Sequence, residues 1–185
     1  MDFKIVDKKL ASRYEEIRRR IRRLQSGGTI DSLQEIGANT EKQIGASYVS
    51  LKQLASAYQP DEQLALLLWN TQQREEQMVA CLLLPGETNR EKITQLAESC
   101  LNLEIAGYLG SLYLFKYPHL SEVMNEWIES DVPCQQIAIL TALARHLIVN
   151  KKDSQITEAY FQSVISRKYK NKYVQLAAER YRFNI

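Results

Sequence analysis

Apolar residues recur along this chain at helical spacing, three or four apart, and nowhere alternate over the length of a strand. Leu10, Tyr14, Ile17, Ile21 and Leu24 trace one face of a helix predicted over 8–24, with Gly27-Gly28 placed to end it. A short helix over 30–36, stopped by Gly37, precedes a loop over 38–46, and Ser47 suits the N-cap of a helix running to about 58. The stretch 60–85 is different in kind. Its first helix, 61–70, is apolar around most of its circumference from Leu64 to Trp69, so it needs cover on several sides. Its second, 72–84, is polar early and apolar from Met78 onward, which predicts an exposed start and a buried end. Pro60 and Pro85 bracket the pair, because proline suits a first helical turn and cannot continue a helix.

Beyond it, Thr88 and Glu91 have the spacing of a capping box for a helix through Ile93, Leu96 and Cys100. Asn102 is placed to cap the next, which runs toward Pro118 through Gly107 and Gly110, glycines that predict close packing or a bend. Helices over 119–130, from Pro133 (the most apolar of all), from Asp153 as cap to about 167, and over 174–181 complete the chain. The reading is all-α, about ten helices in a single domain, 1–185. Helix pairs recurring roughly every 25–45 residues fit an α–α superhelix of HEAT-like, armadillo-type repeats better than a four-helix bundle.

Composition changes this picture little: 45% apolar and 25% charged residues are ordinary for a soluble globular chain. No apolar run nears the roughly 20 residues that span a bilayer, and the charged N-terminus lacks the apolar core of a signal peptide, so a cytoplasmic protein without membrane contact is expected. Cys81, Cys100 and Cys134 show no ligand spacing and read as buried thiols, with no metal and no cofactor expected. The net charge of +2 conceals a strong asymmetry. Residues 1–23 carry nine Lys/Arg against four Asp/Glu, and residues 151–185 carry eight against three, while the segment between is acidic. Arg19, Arg22 and Arg23 lie opposite the apolar face of the first helix, and Lys168, Lys170 and Lys172 stand among Tyr169, Tyr173 and Tyr181. The first cluster could act as a phosphate-binding comb, and the second could hold phosphates and stack on bases. The alternative is a solvated face, with Glu15–Arg19 and Glu16–Arg20 pairs on the first helix and a Tyr169–Tyr173 pair packing the last one. His119 and His146 have no partner pattern for a triad, and no Gly-rich phosphate loop is present.

The run IGASYVSLKQLASAY, then LALLLW and REEQMVACLLL, and later WIESD with QIAILTALARHL, resembles the bacterial AlkD-like DNA alkylation repair family over roughly residues 36 to 148. The resemblance implies a HEAT-like stack whose concave face holds double-stranded DNA. It also implies a glycosylase that excises cationic alkylated purines without metal or cofactor, using an aspartate and aromatic rings. The family's tryptophan-aspartate-leucine-valine-aspartate run falls on Leu103, Glu104, Ile105, Ala106 and Gly107, so leucine replaces the aromatic and glycine the functional aspartate. Its paired arginines fall on Gln135 and Gln136, and the tryptophan before them on Pro133. Glycine supplies no electrostatic stabilisation to a forming cation, and glutamine cannot clamp phosphate as a charged fork does. Glu104, one turn before Gly107, is a candidate substitute carboxylate, although a glutamate so placed is more often an acid favoring the helix dipole. Three readings follow: a DNA-binding repair-family scaffold without the usual catalytic residues, a protein–protein scaffold that has lost DNA binding, and an enzyme working through Glu104.

Overall fold

The computed structural model describes residues 7–35, 39–150 and 156–183, and these contain eleven α-helices and no strand. The fold is all-α, as the spacing predicts. The chain divides into two compact units, Met1–Pro85 and Gly86–Ile185.

In the first unit, α1 (Lys8–Arg22) starts at Asp7, whose carboxylate accepts from the Lys9 and Leu10 amides, and buries Ile17 and Ile21. Gly27 and Gly28 do not terminate it. They open α2 (Gly27–Glu35), because Ser26 ends the intervening turn and its hydroxyl accepts from the Thr29 amide. The expected stop at Gly37 lies outside the described residues. Ser47 caps α3 (Tyr48–Ala55) through the Ser50 amide, as its residue type suggests. Next, α4 (Glu62–Trp69), capped by Asp61, turns through four residues into α5 (Arg74–Leu83). The two are antiparallel. The Asp61 amide donates to the Leu83 carbonyl at 2.9 Å, and at the other end Gln77 Nε2 donates to the Trp69 carbonyl at 3.1 Å.

The start of α5 overturns an expectation. Glu75 and Glu76 are 2% and 4% exposed, and Gln77 is fully buried. Burying charge is costly unless it is paired and hydrogen-bonded, and both carboxylates have partners from elsewhere in the unit. Glu75 accepts from the Ile44 and Ala46 amides, both at 3.2 Å, and from Arg74 Nη1. Glu76 accepts from Arg18 Nε at 3.1 Å. The polar first turn therefore fastens α1 and the 39–47 loop instead of facing water.

In the second unit, α6 (Arg90–Glu98) is capped by Asn89, not by a Thr88–Glu91 box; Thr88 is buried and the Asn89 side chain takes the Glu91 amide at 2.7 Å. Asn102 caps α7 (Leu103–Tyr108) through the Ile105 amide. The helix then loosens into a π turn, Leu109–Tyr113, and a 3₁₀ turn, Leu114–Lys116. Then come α8 (Leu120–Glu129), α9 (Pro133–Val149), α10 (Glu158–Ile165) and α11 (Lys172–Phe183). Thr157, not Asp153, caps α10, and Asp153 lies outside the described residues. The long apolar α9 is the axis of this unit, packed by α6, α7, α8, α10, α11 and the π turn. Gly110 sits in that π turn against α9, where a Cβ would lie 2.3 Å from the Ala138 carbonyl oxygen. Close approach, expected from the sequence, is the reason for glycine there. His146 is a buried core histidine whose Nδ1 lies 2.8 Å from the Phe115 carbonyl. Of the three thiols only Cys81 is buried as expected; Cys100 and Cys134 are half-exposed.

Candidate nucleic-acid interface

In the second unit, a cleft of about 470 Å³ opens where the α8–α9 corner faces the loop joining α10 to α11. The corner is set by sequence-local rules. Ser130 accepts the Val132 amide at 3.0 Å, and Pro133 begins α9 at its first position, where a missing N–H costs nothing. Gln136, one turn into α9, lines the cleft and donates from Nε2 to the Ile128 carbonyl at 3.2 Å, satisfying the frayed end of α8. Gln135 is buried and donates to Glu98 Oε1 at 3.3 Å. Both glutamines, expected from the resemblance to stand at arginine positions, are thus engaged within the fold.

The facing wall is the 166–171 loop, which places Arg167, Lys168 and Lys170 at the cleft. Tyr169 holds this loop. Its hydroxyl donates to the Val164 carbonyl at 3.0 Å and its amide donates to Gln175 Oε1 at 2.9 Å. Burial, the largest cause, pushes the phenol up to about 12, with Arg167 opposing and Glu129 and Tyr160 adding to it. Tyr169 is not the helical partner of Tyr173, which is exposed on α11 under the Lys172 ammonium. Arg167 is ion-paired with Glu129, and Lys170 Nζ lies 2.8 Å from Asp131 Oδ1. The Lys170 hydrogen bond holds the Asp131 carboxyl below its ordinary range and lifts the lysine above its own. The cleft mouth therefore alternates cations with two carboxylates. Lys168 is exposed, and Lys172 stands outside the lining.

The other anticipated residues are placed as follows. Leu103 is half-buried at the start of α7, Glu104 is exposed in its first turn, and Gly107 is half-buried with open space, nothing within 4 Å, where a Cβ would stand. None of the three lines the cleft, so the structure brings Gln136 together with Lys168 and Lys170 but not with the catalytic-run positions. In the first unit, the basic residues of α1 separate into two sets. Arg13 binds Asp61 at 2.5 Å, Arg18 binds Glu76, and Arg20 reaches Tyr58 at 3.0 Å and Glu16 at 3.6 Å. Arg19, Arg22 and Arg23 remain exposed. The expected Glu15–Arg19 ion pair is not formed: Arg19 Nε donates to the Glu15 backbone carbonyl, and the Glu15 carboxylate lies 3.9 Å from Arg18. Glu129 and Asp131 were not foreseen, since each meets its partner across α9 and α10. The anchoring role of Tyr169 was not foreseen either, since it depends on how α10 ends and α11 begins.

Among the described residues no cluster of His, Cys, Asp and Glu could hold a metal ion, and no helix is long and apolar enough to cross a membrane. In class, the chain is an all-α protein with a mixed-charge cleft at a helix corner. The family model described as "DNA alkylation repair enzyme" matches residues 17–168, and the chain belongs to that family. Its function is accordingly related to DNA repair. No curated protein and no solved structure matches it significantly.

Proposed function

We propose that this chain binds duplex DNA through its backbone, on a HEAT-like repeat scaffold forming one domain, and that it lacks the glycosylase chemistry implied by its family. The family match crosses the division at Pro85, which supports one domain. The observation that carries the binding reading is the cleft in which Lys168 and Lys170, with Arg167, stand opposite Gln136, where the family has arginine. Cations lost from α9 are supplied from the opposite wall. Exposed ion pairs such as Arg167–Glu129 are weak, so a phosphate can take the place of the carboxylate at little cost. Arg19, Arg22 and Arg23 offer a second solvated cationic set.

The acidic residues at the cleft mouth favor a second reading, a scaffold for a protein partner carrying charges of both signs. Fluorescence titration of labelled duplex DNA at two salt concentrations separates the two. Saturable binding that weakens as salt rises supports the DNA reading, because each phosphate contact releases counterions. No saturable binding at low salt, or an affinity indifferent to salt, leaves the protein scaffold. For the chemistry, release of 7-methylguanine from alkylated DNA is compared between wild type and Glu104→Ala. Equal background release is expected; release by wild type that Glu104→Ala abolishes would establish the enzyme instead.

A further inference from the structure

Cys100 and Cys134, thirty-four residues apart in the chain, meet in the second unit. Cys100 follows the end of α6 by two residues and Cys134 is the second residue of α9. The Gln135–Glu98 hydrogen bond pins these two helix ends together at 3.3 Å, and the two thiols are themselves in hydrogen-bonding contact. Both are half-exposed, so small oxidants reach them, whereas Cys81 is fully buried. We propose that Cys100 and Cys134 form a peroxide-sensitive dithiol that closes to an intramolecular disulfide across the α6 end and the α9 start.

The chemistry balances with hydrogen peroxide as the oxidant. The Cys134 thiolate attacks one peroxide oxygen, the O–O bond breaks, and the departing hydroxide takes the thiol's proton and leaves as water, giving a sulfenic acid. The Cys100 sulfur then attacks Cys134 Sγ, and the S–O bond breaks. The leaving hydroxide takes the Cys100 proton as a second water. Two thiols and one peroxide become one disulfide and two waters. The environment selects Cys134 as the attacking group. Hydrogen-bonding contact with the Cys100 side chain, whose Sγ also faces the Leu96 carbonyl at 3.5 Å, lowers the Cys134 pKa against the opposing effect of burial. It also stands in the first turn of a seventeen-residue helix whose start has no side-chain cap, so free amides favor negative charge there. Cys81 is held as an inert thiol, raised by burial.

The bond would tie together segments that matter to the cleft. Pro133 and Gln136 line it from the same first turns of α9, and Asn102, two residues past Cys100, caps α7. Oxidation fastens that wall to the α6–α7 junction.

The test treats the reduced full chain with equimolar hydrogen peroxide, quenches in acid, alkylates, and reads intact mass and peptide maps. Wild type should lose both half-exposed thiols together and yield a linked peptide pair containing Cys100 and Cys134, restored by dithiothreitol. Cys81→Ser should behave identically, and Cys100→Ser and Cys134→Ser should give no such link. The same reaction on urea-denatured wild type should form this link at least roughly tenfold more slowly, since proximity and thiolate character come from the fold. Both thiols remaining alkylatable, independent oxidation without a link, or equal linking in the denatured chain would each overturn the proposal.

Discussion

Arg18 Nε lies 3.1 Å from Glu76 Oε1, joining the middle of α1 to a carboxylate that is only 4% exposed in the first turn of α5. The other oxygen, Glu76 Oε2, is buried without a hydrogen-bond partner among the described residues. The guanidinium, stacked 5.1 Å over the Tyr14 ring, is thus the main compensation for a buried charge. Removing one member of such a pair leaves the other uncompensated, which commonly costs several kcal/mol when both are buried. Arg18 retains partial solvent contact, so Arg18→Met should lose about 2–3 kcal/mol in urea unfolding. The double variant Arg18→Met, Glu76→Met should recover most of that loss. A double variant no more stable than Arg18→Met alone would mean that Glu76 is not left stranded.

The glycines of the α7 segment predict opposite outcomes. At Gly110 a Cβ would lie 2.3 Å from the Ala138 carbonyl oxygen and 2.9 Å from Thr141 Cβ, both on α9. Gly110→Ala must push the π turn off the axis helix and should cost about 1–3 kcal/mol. At Gly107 a Cβ meets nothing within 4 Å, and alanine is the better helix former. Gly107→Ala should therefore raise stability by up to about 1 kcal/mol. Chemical denaturation of both variants checks the contrast, and equal effects would contradict the packing described for α9.

How much of this was legible beforehand depended on the range of the interaction. Ser47 and Asn102 are caps that act within three residues, and each was readable from residue type and place. Asp61, expected as the first residue of its helix, is likewise its cap. The Thr88–Glu91 box was the expected start of α6, but Thr88 is buried and its neighbor Asn89 caps the helix instead. Gly27-Gly28 looks like a helix stop until the Ser26 hydroxyl is seen to start α2. The buried start of α5 could not be read from Glu75 and Glu76 alone, because their partners Ile44, Ala46 and Arg18 are 29 to 58 residues away. The same holds for the cleft. Gln136 was marked by its place in the family pattern and Lys168 and Lys170 by composition, but only the packing of α8, α9 and the 166–171 loop makes them neighbors.

Tyr169 gives a pH signature. The folded state holds its phenol near 12 against an ordinary value of 10.0, so the neutral form is favored by folding. The stability it contributes is complete below about pH 10 and is lost as pH rises toward 12. Tyr14, Tyr58, Tyr117 and Tyr160 are raised as well, chiefly by burial, so the informative quantity is a difference. Tyr169→Phe should cost about 1 kcal/mol near neutral pH through the lost bond to Val164. Its deficit should shrink between pH 10 and 12. A deficit that stays constant across that window would show that the hydroxyl titrates as in the unfolded chain.

The charge arrangement at the cleft makes the DNA reading specific to individual side chains. Lys168 is exposed at the lining, so Lys168→Ala should weaken duplex binding uniformly across sequences and reduce the slope of log affinity against log salt by about 1. Asp131 acts in the other direction: it engages Lys170 at 2.8 Å and adds a negative charge where phosphate would lie. Asp131→Asn frees the ammonium and should tighten binding several-fold at low salt, the gain fading as salt screens it. Asp131 is fully exposed on its loop, so the variant should fold as wild type, which circular dichroism checks. Opposite signs for Lys168→Ala and Asp131→Asn are what a phosphate-binding cleft requires. If both variants leave the titration unchanged while wild type still binds, the contact surface lies elsewhere, and replacing Arg19, Arg22 and Arg23 together becomes the deciding measurement.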